Sequence, residues 1–315
     1  MDNSRTATAD IAMYPQTHRL SEKKLRKAKE KVIEGLLFLC AFSAVATTVA
    51  IVAILLYEAA SFFEHVSIVE FLTNTEWTPL FENPQFGVMP LVAGTLVVAG
   101  VALAVAVPIG VIVAIYLSEF APHKVRETVK PFLELLEGVP TVVYGYFALL
   151  FVTPMLQTFM PELPGFNMLS AGIVMGVMIV PYVSSVSEDA MRAVPMSLRE
   201  GSYAMGATRF QTAVSVVFPA AISGVLAAFI LGISRAIGET MVVAVAAGTQ
   251  PNLTWNPTES AATITSYIVQ VALGDLPHGS IGYQSIFAVG LVLVLMTLGF
   301  NILGHLLRRK FREAY

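Results

Sequence analysis

Residues 225–247, VLAAFILGISRAIGETMVVAVAA, hold an arginine and a glutamate in the middle of an otherwise apolar stretch. Both ends of the stretch have the composition of a membrane-spanning helix, in whose centre an arginine costs roughly 2.5 to 3.5 kcal/mol. Arg235 and Glu239 are separated by i, i+4 spacing, so on a continuous helix they share one face. We therefore predict that they neutralise each other inside a membrane, and that the arginine has a use there.

The composition of the whole chain supports a membrane location. Of the 315 residues, 56% are hydrophobic and 13% are charged, whereas a soluble domain carries about 25% charged residues. The single cysteine, Cys40, excludes an intrachain disulfide. The five histidines are scattered, without the i, i+4 spacing of a helical metal site, so no metal site is predicted.

Six stretches are long and apolar enough to cross a bilayer about 30 Å thick as helices. They lie at 32–57, 88–118, 139–160, 168–189, 216–247 and 284–307. The first is longer than the apolar core of a secretory signal, about 7 to 15 residues, so we predict a retained transmembrane helix. Three stretches contain an interior proline, at Pro108, Pro140 and Pro181, which a helix bundle tolerates. The fold class is therefore an all-α integral membrane protein with six transmembrane helices.

The basic residues indicate which side of the membrane each connection faces. All but one of the 19 lysines and arginines lie in 1–31, 119–138, 190–213 and 308–315, and the last one is Arg235. The connections 58–87, 161–167 and 248–283 contain none. Because cytoplasmic loops are enriched in Lys and Arg, we expect both termini to be cytoplasmic.

Two connections have helical patterns of their own. In the stretch from Thr263 to Leu273, the apolar residues recur at helical spacing, which predicts a short re-entrant or interfacial helix that packs on its own bundle. Residues 123–137 predict a second surface helix, on the cytoplasmic side. No internal repeat is evident, which argues mildly against secondary transporters built from inverted repeats.

The sequence carries no hydrolytic or ATP-binding motif. It lacks the Gly-x-x-x-x-Gly-Lys-[Ser/Thr] phosphate loop, so it has no route of that kind to ATP hydrolysis. His305 is the only histidine near a span, and it lies at the far end of that span, which excludes a Ser-His-Asp catalytic arrangement. Asp189 is the only aspartate at a helix edge. We therefore expect a protein that is not an enzyme.

Residues 195–219 carry the most informative cytoplasmic motif. Pro195 can begin a short helix, and the run EGSYAMG at 200–206 has small residues on one side. A tight turn at Gly206 ends this run, which gives a compact, rigid segment that can dock into a groove of a partner protein. The segment resembles the EAA loop of ABC importer permeases, the binding-protein-dependent type. The positions that match this loop are Glu200, Gly201, Ser202, Ala204, Gly206 and Pro219. Two alanines are commonest in the family where Gly201 and Ser202 stand here.

Three further stretches resemble the permease subunits of the phosphate-specific importer, closest to the PstC type. They are EGVPTVVYG at 137–145, IVPYVSS at 179–185 and SRAIGET at 234–240. The resemblance implies a type I ABC importer permease bundle (MetI-like) at 88–307, with the coupling loop 195–219 docking on an ATPase. Residues 1–31 and 308–315 would be cytoplasmic basic tails, and 32–87 the first transmembrane helix with an extracytoplasmic linker.

The resemblance also implies the partners and the location. They are a second permease subunit of the PstA type, a dimeric cytoplasmic ATPase of the PstB type that binds the ATP and Mg, and an extracytoplasmic phosphate-binding protein of the PstS type. The chain itself would hold no cofactor and contact membrane lipid but no nucleic acid. It would be a multi-pass protein of a bacterial or archaeal cytoplasmic (inner) membrane.

The central charges acquire a role in this setting. Arg235 offers a planar, permanently charged fork to phosphate oxygens. Glu239 can compensate the arginine when the pathway is empty and can accept a hydrogen bond from the P–OH of phosphate, which sulfate lacks at neutral pH. The flanking Ser234 and Thr240 complete the expected translocation site.

Other functions remain open at this point. The same kind of permease could carry another oxyanion, such as phosphonate, sulfate or molybdate. A proton-coupled secondary anion carrier could use Arg235 and Glu239 as a relay. A membrane scaffold or sensor subunit would move no solute, and an intrahelical ion pair with a purely structural role would need no ligand.

Overall fold

The computed structural model describes residues 16–310 except residues 80, 82, 275 and 278. Helices dominate this part of the chain, which confirms the all-α prediction, and a single isolated β-bridge joins Trp77 and Phe86 within it. The helices are α1 (Gln16–Phe63), α2 (Ile68–Thr73), α3 (Met89–Ile115), α4 (His123–Glu137), α5 (Thr141–Phe147), α6 (Thr153–Gln157), α7 (Met168–Arg192), α8 (Met196–Ala204), α9 (Arg209–Thr212), α10 (Phe218–Ala220), α11 (Ile222–Gly238), α12 (Met241–Ala246), α13 (Ile264–Ala272) and α14 (Ile281–Lys310).

The six predicted spans correspond to four long helices and two bent pairs. Lys29–Phe63, Met89–Phe120, Met168–Arg192 and Ile281–Lys310 are each long and apolar enough to cross a membrane. The other two candidates are pairs: His123–Glu137 with Thr141–Gln157, bent by 87°, and Arg209–Ala220 with Ile222–Gly238, bent by 70°. Pro140 lies between α4 and α5 and not inside a helix, which corrects the prediction for that residue.

The chain divides into two compact units, residues 1–54 and 55–315. In the first, the described residues form one continuous helix whose apolar side chains from Val32 to Ile54 are exposed, as expected of a helix surface that faces lipid. The second unit contains three clusters of buried hydrophobic residues.

The largest of these clusters lies where α3, α7, α11 and α12 meet. Small residues let α3 and α7 approach closely, as is common between membrane helices. A Cβ added at Gly176 would lie 2.7 Å from the carbonyl oxygen of Ala102, so no other residue fits there without a shift. This packing holds α7 rigidly beside α3.

Three short π-helical segments share one sequence feature. The segments Tyr116–Phe120, Ala148–Val152 and Ala213–Val217 each end two residues before a proline. The proline ring clashes with the carbonyl four residues earlier, and its nitrogen cannot donate. In each case the residue directly after the segment, which precedes the proline, bonds five residues back instead, as Phe218 N does to the Ala213 oxygen. The helix continues through Pro154 and Pro219, whereas it ends at the extended Ala121, just before Pro122. The π-helical turns thus lie where a proline interrupts or ends the regular α-helical hydrogen bonds.

The connections predicted to face outward are folded. Phe62, Phe71, Trp77 and Phe86 pack edge to face in a second cluster, and Trp77 also contacts Tyr267 of α13. Helix α13 confirms the short helix predicted in 263–273, since its capping box at Thr263 fixes its start and it packs against α14, α12 and α3. Helix α4 confirms the helix predicted at 123–137, and none of its described side chains is fully buried. It also forms the first half of one of the bent pairs, so its surface position on the cytoplasmic side stays a prediction.

Candidate translocation site and coupling segment

The predicted continuous span 216–247 is interrupted at two places. The first is the 70° bend at Ala221, two residues after Pro219. The second is at Glu239, which is extended (φ −67°, ψ 133°) between α11 and α12. Beyond the bend at Ala221, the stretch therefore consists of two half-helices, α11 and α12, that meet at 239–240. Helix α11 begins at Ile222, so Arg235 lies about 20 Å along this helix from its first residue, at roughly 1.5 Å per residue.

The break also separates the two charges that were expected to pair. Among the described residues, no carboxylate lies within the 4.0 Å ion-pair distance of the Arg235 guanidinium. The i, i+4 ion pair with Glu239 is thus a wrong prediction, because the helix ends before Glu239. Gly238 is the sequence signal for the end of this helix, since glycine is common at helix C-termini.

Arg235 is stabilised by two other features. Its guanidinium carbon lies 6.0 Å from the centre of the Tyr182 ring on α7, a cation–π distance. It also lies in the last turn of α11, where the helix dipole and free carbonyls favour a cation. Tyr182 belongs to the IVPYVSS stretch, but its contact with Arg235 could not be seen from the sequence. The arginine is half-buried and its donors are not used by an acid.

Glu239 caps the second half-helix. Its side chain is buried (8% exposed), and Oε1 accepts hydrogen bonds from the backbone amides of Met241 (3.1 Å) and Val242 (3.3 Å). A carboxylate at this position is favoured by the dipole of α12. The Thr265 hydroxyl of α13 donates to the Glu239 carbonyl at 2.6 Å and fixes the break. Only Oε1 is engaged by described residues.

The structure places the two flanking hydroxyls differently. Ser234 Oγ donates to Asn301 Oδ1 of α14 at 3.0 Å, so it links two helices. Thr240 Oγ1 lies 3.3 Å from the Gly238 carbonyl, directly beside the break. The geometry thus groups Thr240 with Glu239 and directs Ser234 to a helix–helix contact.

The coupling segment has the predicted local form. Helix α8 begins after Pro195, and Gly206 takes a positive φ of 84° in the turn that follows Ala204. Glu200 and Gly201 are exposed, and Ser202 Oγ lies 2.9 Å from Thr212 Oγ1 of α9, which braces the turn. Pro219 lies in the first turn of α10, after the π-helical segment. The exposed face of α8 is therefore available to a partner.

A buried ion pair anchors α8 to the bundle. Arg199 Nη2 bonds Glu119 Oε1 at 2.9 Å, and both side chains are nearly inaccessible. The same guanidinium donates to the carbonyls of Val194 (2.6 Å) and Met191 (2.9 Å) at the end of α7. Arg199 of α8 therefore bonds to the ends of two candidate spans, Met89–Phe120 and Met168–Arg192. The sequence analysis missed it because its partner is 80 residues away.

A second group of charges holds α4 against α7. Lys130 Nζ lies 2.9 Å from Asp189 and 3.3 Å from Glu188, whose side chain is fully buried. Arg192 lies 3.6 Å from the same Glu188. The sequence named Asp189 only as the one aspartate at a helix edge, and the structure shows it in an ion pair between two helices.

Comparisons with known proteins agree with this architecture. Residues 106–313 match the family described as "Binding-protein-dependent transport system inner membrane component". The chain is 36% identical over 286 residues to the probable ABC transporter permease protein YqgH of Bacillus subtilis, which covers 90% of this chain and 92% of that protein. It is 32% identical over 259 residues to the phosphate transport system permease protein PstC of Xylella fastidiosa, covering 76% of this chain and 78% of that protein.

Solved structures with the same fold are more distant in sequence. A permease chain of a bacterial ABC transporter involved in alginate import superposes with a TM-score of 0.63 at 15% identity, covering 91% of this chain and 100% of that one. A chain of the MetNI methionine ABC transporter gives a TM-score of 0.53 at 21% identity, covering 72% and 95%. These likenesses establish the fold.

Proposed function

The chain belongs to the family of binding-protein-dependent transport system inner membrane components and is a permease subunit of an ABC importer, and we propose that the solute it carries is inorganic phosphate. As a permease subunit it is a transport protein and not an enzyme. Membership in this family also removes the proton-coupled carrier and the scaffold as alternatives. The remaining alternative is the same kind of permease for another oxyanion.

The observation that carries the proposal is the arginine without an acidic partner. Arg235 lies deep along α11 with its charge supported by the Tyr182 ring and a helix end, so its fork of N–H donors remains available to an anion. A carboxylate partner would have to be displaced by each incoming anion. Phosphate would therefore bind at Arg235, in the last turn of α11 before the break.

Glu239 supplies the selectivity in this proposal. Its Oε1 is held by two backbone amides, which keeps the carboxylate in place. The second oxygen then accepts a hydrogen bond from the P–OH of phosphate, whereas a fully ionised sulfate has no proton to donate and is repelled. The affinity of the site should be low, because a pathway must release what it admits.

The partners follow from the same assignment. A second permease subunit of the PstA type would complete the pathway, two PstB-type ATPase subunits would bind ATP and Mg and dock on the segment at 195–219, and a PstS-type binding protein would deliver phosphate. We assign the ends that carry 1–31, α8 and 308–315 to the cytoplasmic side, because the basic residues concentrate there.

Uptake by reconstituted transporter tests the substrate. Proteoliposomes that contain this chain, the second permease and the ATPase are supplied with binding protein, and uptake of phosphate, sulfate and molybdate is measured with and without internal ATP. The proposal predicts ATP-dependent uptake of phosphate and little uptake of the other two ions. Preferred uptake of sulfate or molybdate would contradict the phosphate assignment and leave the permease assignment intact.

A further inference from the structure

A cavity of about 730 Å³ lies beside α8 (Met196–Ala204), which we call the coupling helix. Its walls come from the π-helical segment Tyr116–Phe120 and the residues after it, and from α4, α7, α8 and α9. None of the residues proposed to contact the transported ion lines it. Its size falls in the range of about 300 to 1,000 Å³ that is typical of small-molecule sites.

The cavity has a strong positive charge. Within the part of the chain that the structure describes, four arginines line it, Arg126, Arg192, Arg199 and Arg209, against a single acid, Glu119. Arg199 forms an ion pair with Glu119, and Arg192 lies 3.6 Å from Glu188. Among the described residues, Arg126 and Arg209 have no acidic group within 4.0 Å. At least two guanidinium groups therefore remain for an anion, and guanidinium is suited to bidentate contact with phosphate oxygens.

The position of the cavity indicates the source of that anion. Phe120 ends the candidate span Met89–Phe120 and Arg192 ends the candidate span Met168–Arg192, so the cavity lies at the ends of two candidate spans, where a membrane surface is expected. Phe120 and Met196 give it an apolar wall beside the arginines. A protein carboxylate would fill only a small part of this volume, whereas a glycerol phosphate headgroup fits both the charge and the apolar wall.

We propose that this cavity binds the phosphate-bearing headgroup of an anionic phospholipid such as phosphatidylglycerol. Basic pockets at the cytoplasmic ends of membrane helices are suited to anionic headgroups. Because Met196 and Arg199 of α8 form one wall, a bound headgroup braces the coupling helix against α4 and α9. Coupling between the ATPase and the spans then depends on anionic lipid. This inference does not rest on the identity of the transported ion.

Lipid retention tests the proposal without measuring transport. The complete transporter is taken from nanodiscs of mixed phosphatidylcholine and phosphatidylglycerol, and the lipid bound to it is identified by native mass spectrometry. The unaltered transporter should retain phosphatidylglycerol. Arg126→Gln with Arg209→Gln should weaken that binding ~30-fold, from the usual contribution of two basic side chains. The matched control, Arg308→Gln with Arg309→Gln, removes two arginines at another helix end and should retain the lipid.

Four further results test which occupant the cavity holds. Arg126→Lys with Arg209→Lys keeps both charges and should retain more phosphatidylglycerol than the glutamine variant, provided that both unfold at the same temperature. Equal retention by the glutamine variant and the control would overturn the proposal. Displacement of the lipid by inorganic phosphate, but not by sulfate at equal ionic strength, would make the cavity a phosphate site. Loss of the ATPase from the glutamine variant in every lipid would instead assign the cavity to an acidic residue of the ATPase.

Discussion

Arg235 lies in the last turn of α11 and Glu239 caps the first turn of α12, so their charges are stabilised by different groups. Side chains that share no contact contribute additively to stability, within roughly 0.3 to 0.5 kcal/mol. The effects of Arg235→Gln and Glu239→Gln on the free energy of unfolding should therefore add. Denaturant unfolding of the purified single and double variants measures this sum. A coupling above about 1 kcal/mol would show that the two charges interact directly.

Tyr182 should affect phosphate uptake and thermal stability through its aromatic ring and not through its hydroxyl. Tyr182→Phe keeps the aromatic face below Arg235, so phosphate uptake and thermal stability should stay near normal. Tyr182→Leu removes a cation–π contact of roughly 0.5 to 2 kcal/mol and should lower both. Equal behaviour of the two variants in uptake and in thermal unfolding would remove this contact from the account.

The coupling helix depends on one buried side chain for its attachment. Removing one partner of a buried ion pair costs about 3 to 5 kcal/mol. Because Arg199 also donates to the carbonyls of Met191 and Val194, Arg199→Met should uncouple ATP hydrolysis from uptake more severely than Glu119→Gln. The measured quantity is ATP hydrolysed per phosphate imported at equal ATPase occupancy. The exposed Lys124→Gln on α4 is the control, and a normal ratio in Arg199→Met would exclude a role in coupling.

Two glycines of the same segment should respond in opposite ways to alanine. Gly206 has a positive φ of 84°, so Gly206→Ala costs about 1 to 2 kcal/mol in the turn, although its Cβ would meet open space. Gly201 lies within α8 and also faces open space, so Gly201→Ala should stabilise that helix by about 0.5 to 1 kcal/mol. Co-purification of the ATPase should fall for Gly206→Ala and not for Gly201→Ala. The reverse order would contradict the assigned turn.

Elements with a strong local pattern were predictable from the sequence, and contacts between distant residues were not. The apolar stretches located all six candidate spans, and Thr263 and Pro195 preceded the two short helices where the structure has them. The break at Glu239 was missed because the apolar residues on both sides of it, 225–233 and 241–247, have the composition of one span, although Gly238 preceded it. Arg199 and Glu119, like Tyr182 and Arg235, meet only through tertiary packing, which a single sequence does not encode in any local spacing.

At the scale of the whole molecule, the proposed translocation site and the coupling segment lie in different parts of the same compact unit, residues 55–315. The half-helices that hold Arg235 and Glu239 pack against α7 and α3, and the ends of those same spans are held by Arg199 of the coupling helix. If an ATPase docks on α8 as proposed, a movement of α8 would therefore be passed to the helices beside the proposed translocation site. Coupling then needs no contact between the ATPase and the transported ion.

The most direct test of the account is phosphate uptake by the complete transporter with Arg235→Gln. Proteoliposomes with equal amounts of each variant are compared at saturating ATP, with Arg308→Gln as the control for loss of one positive charge. The account predicts that Arg235→Gln abolishes phosphate uptake while ATPase co-purification remains normal, that Arg235→Lys restores little of it because an ammonium lacks the bidentate fork, and that the control is unaffected. Normal phosphate uptake by Arg235→Gln would contradict the assignment of this arginine to the phosphate pathway.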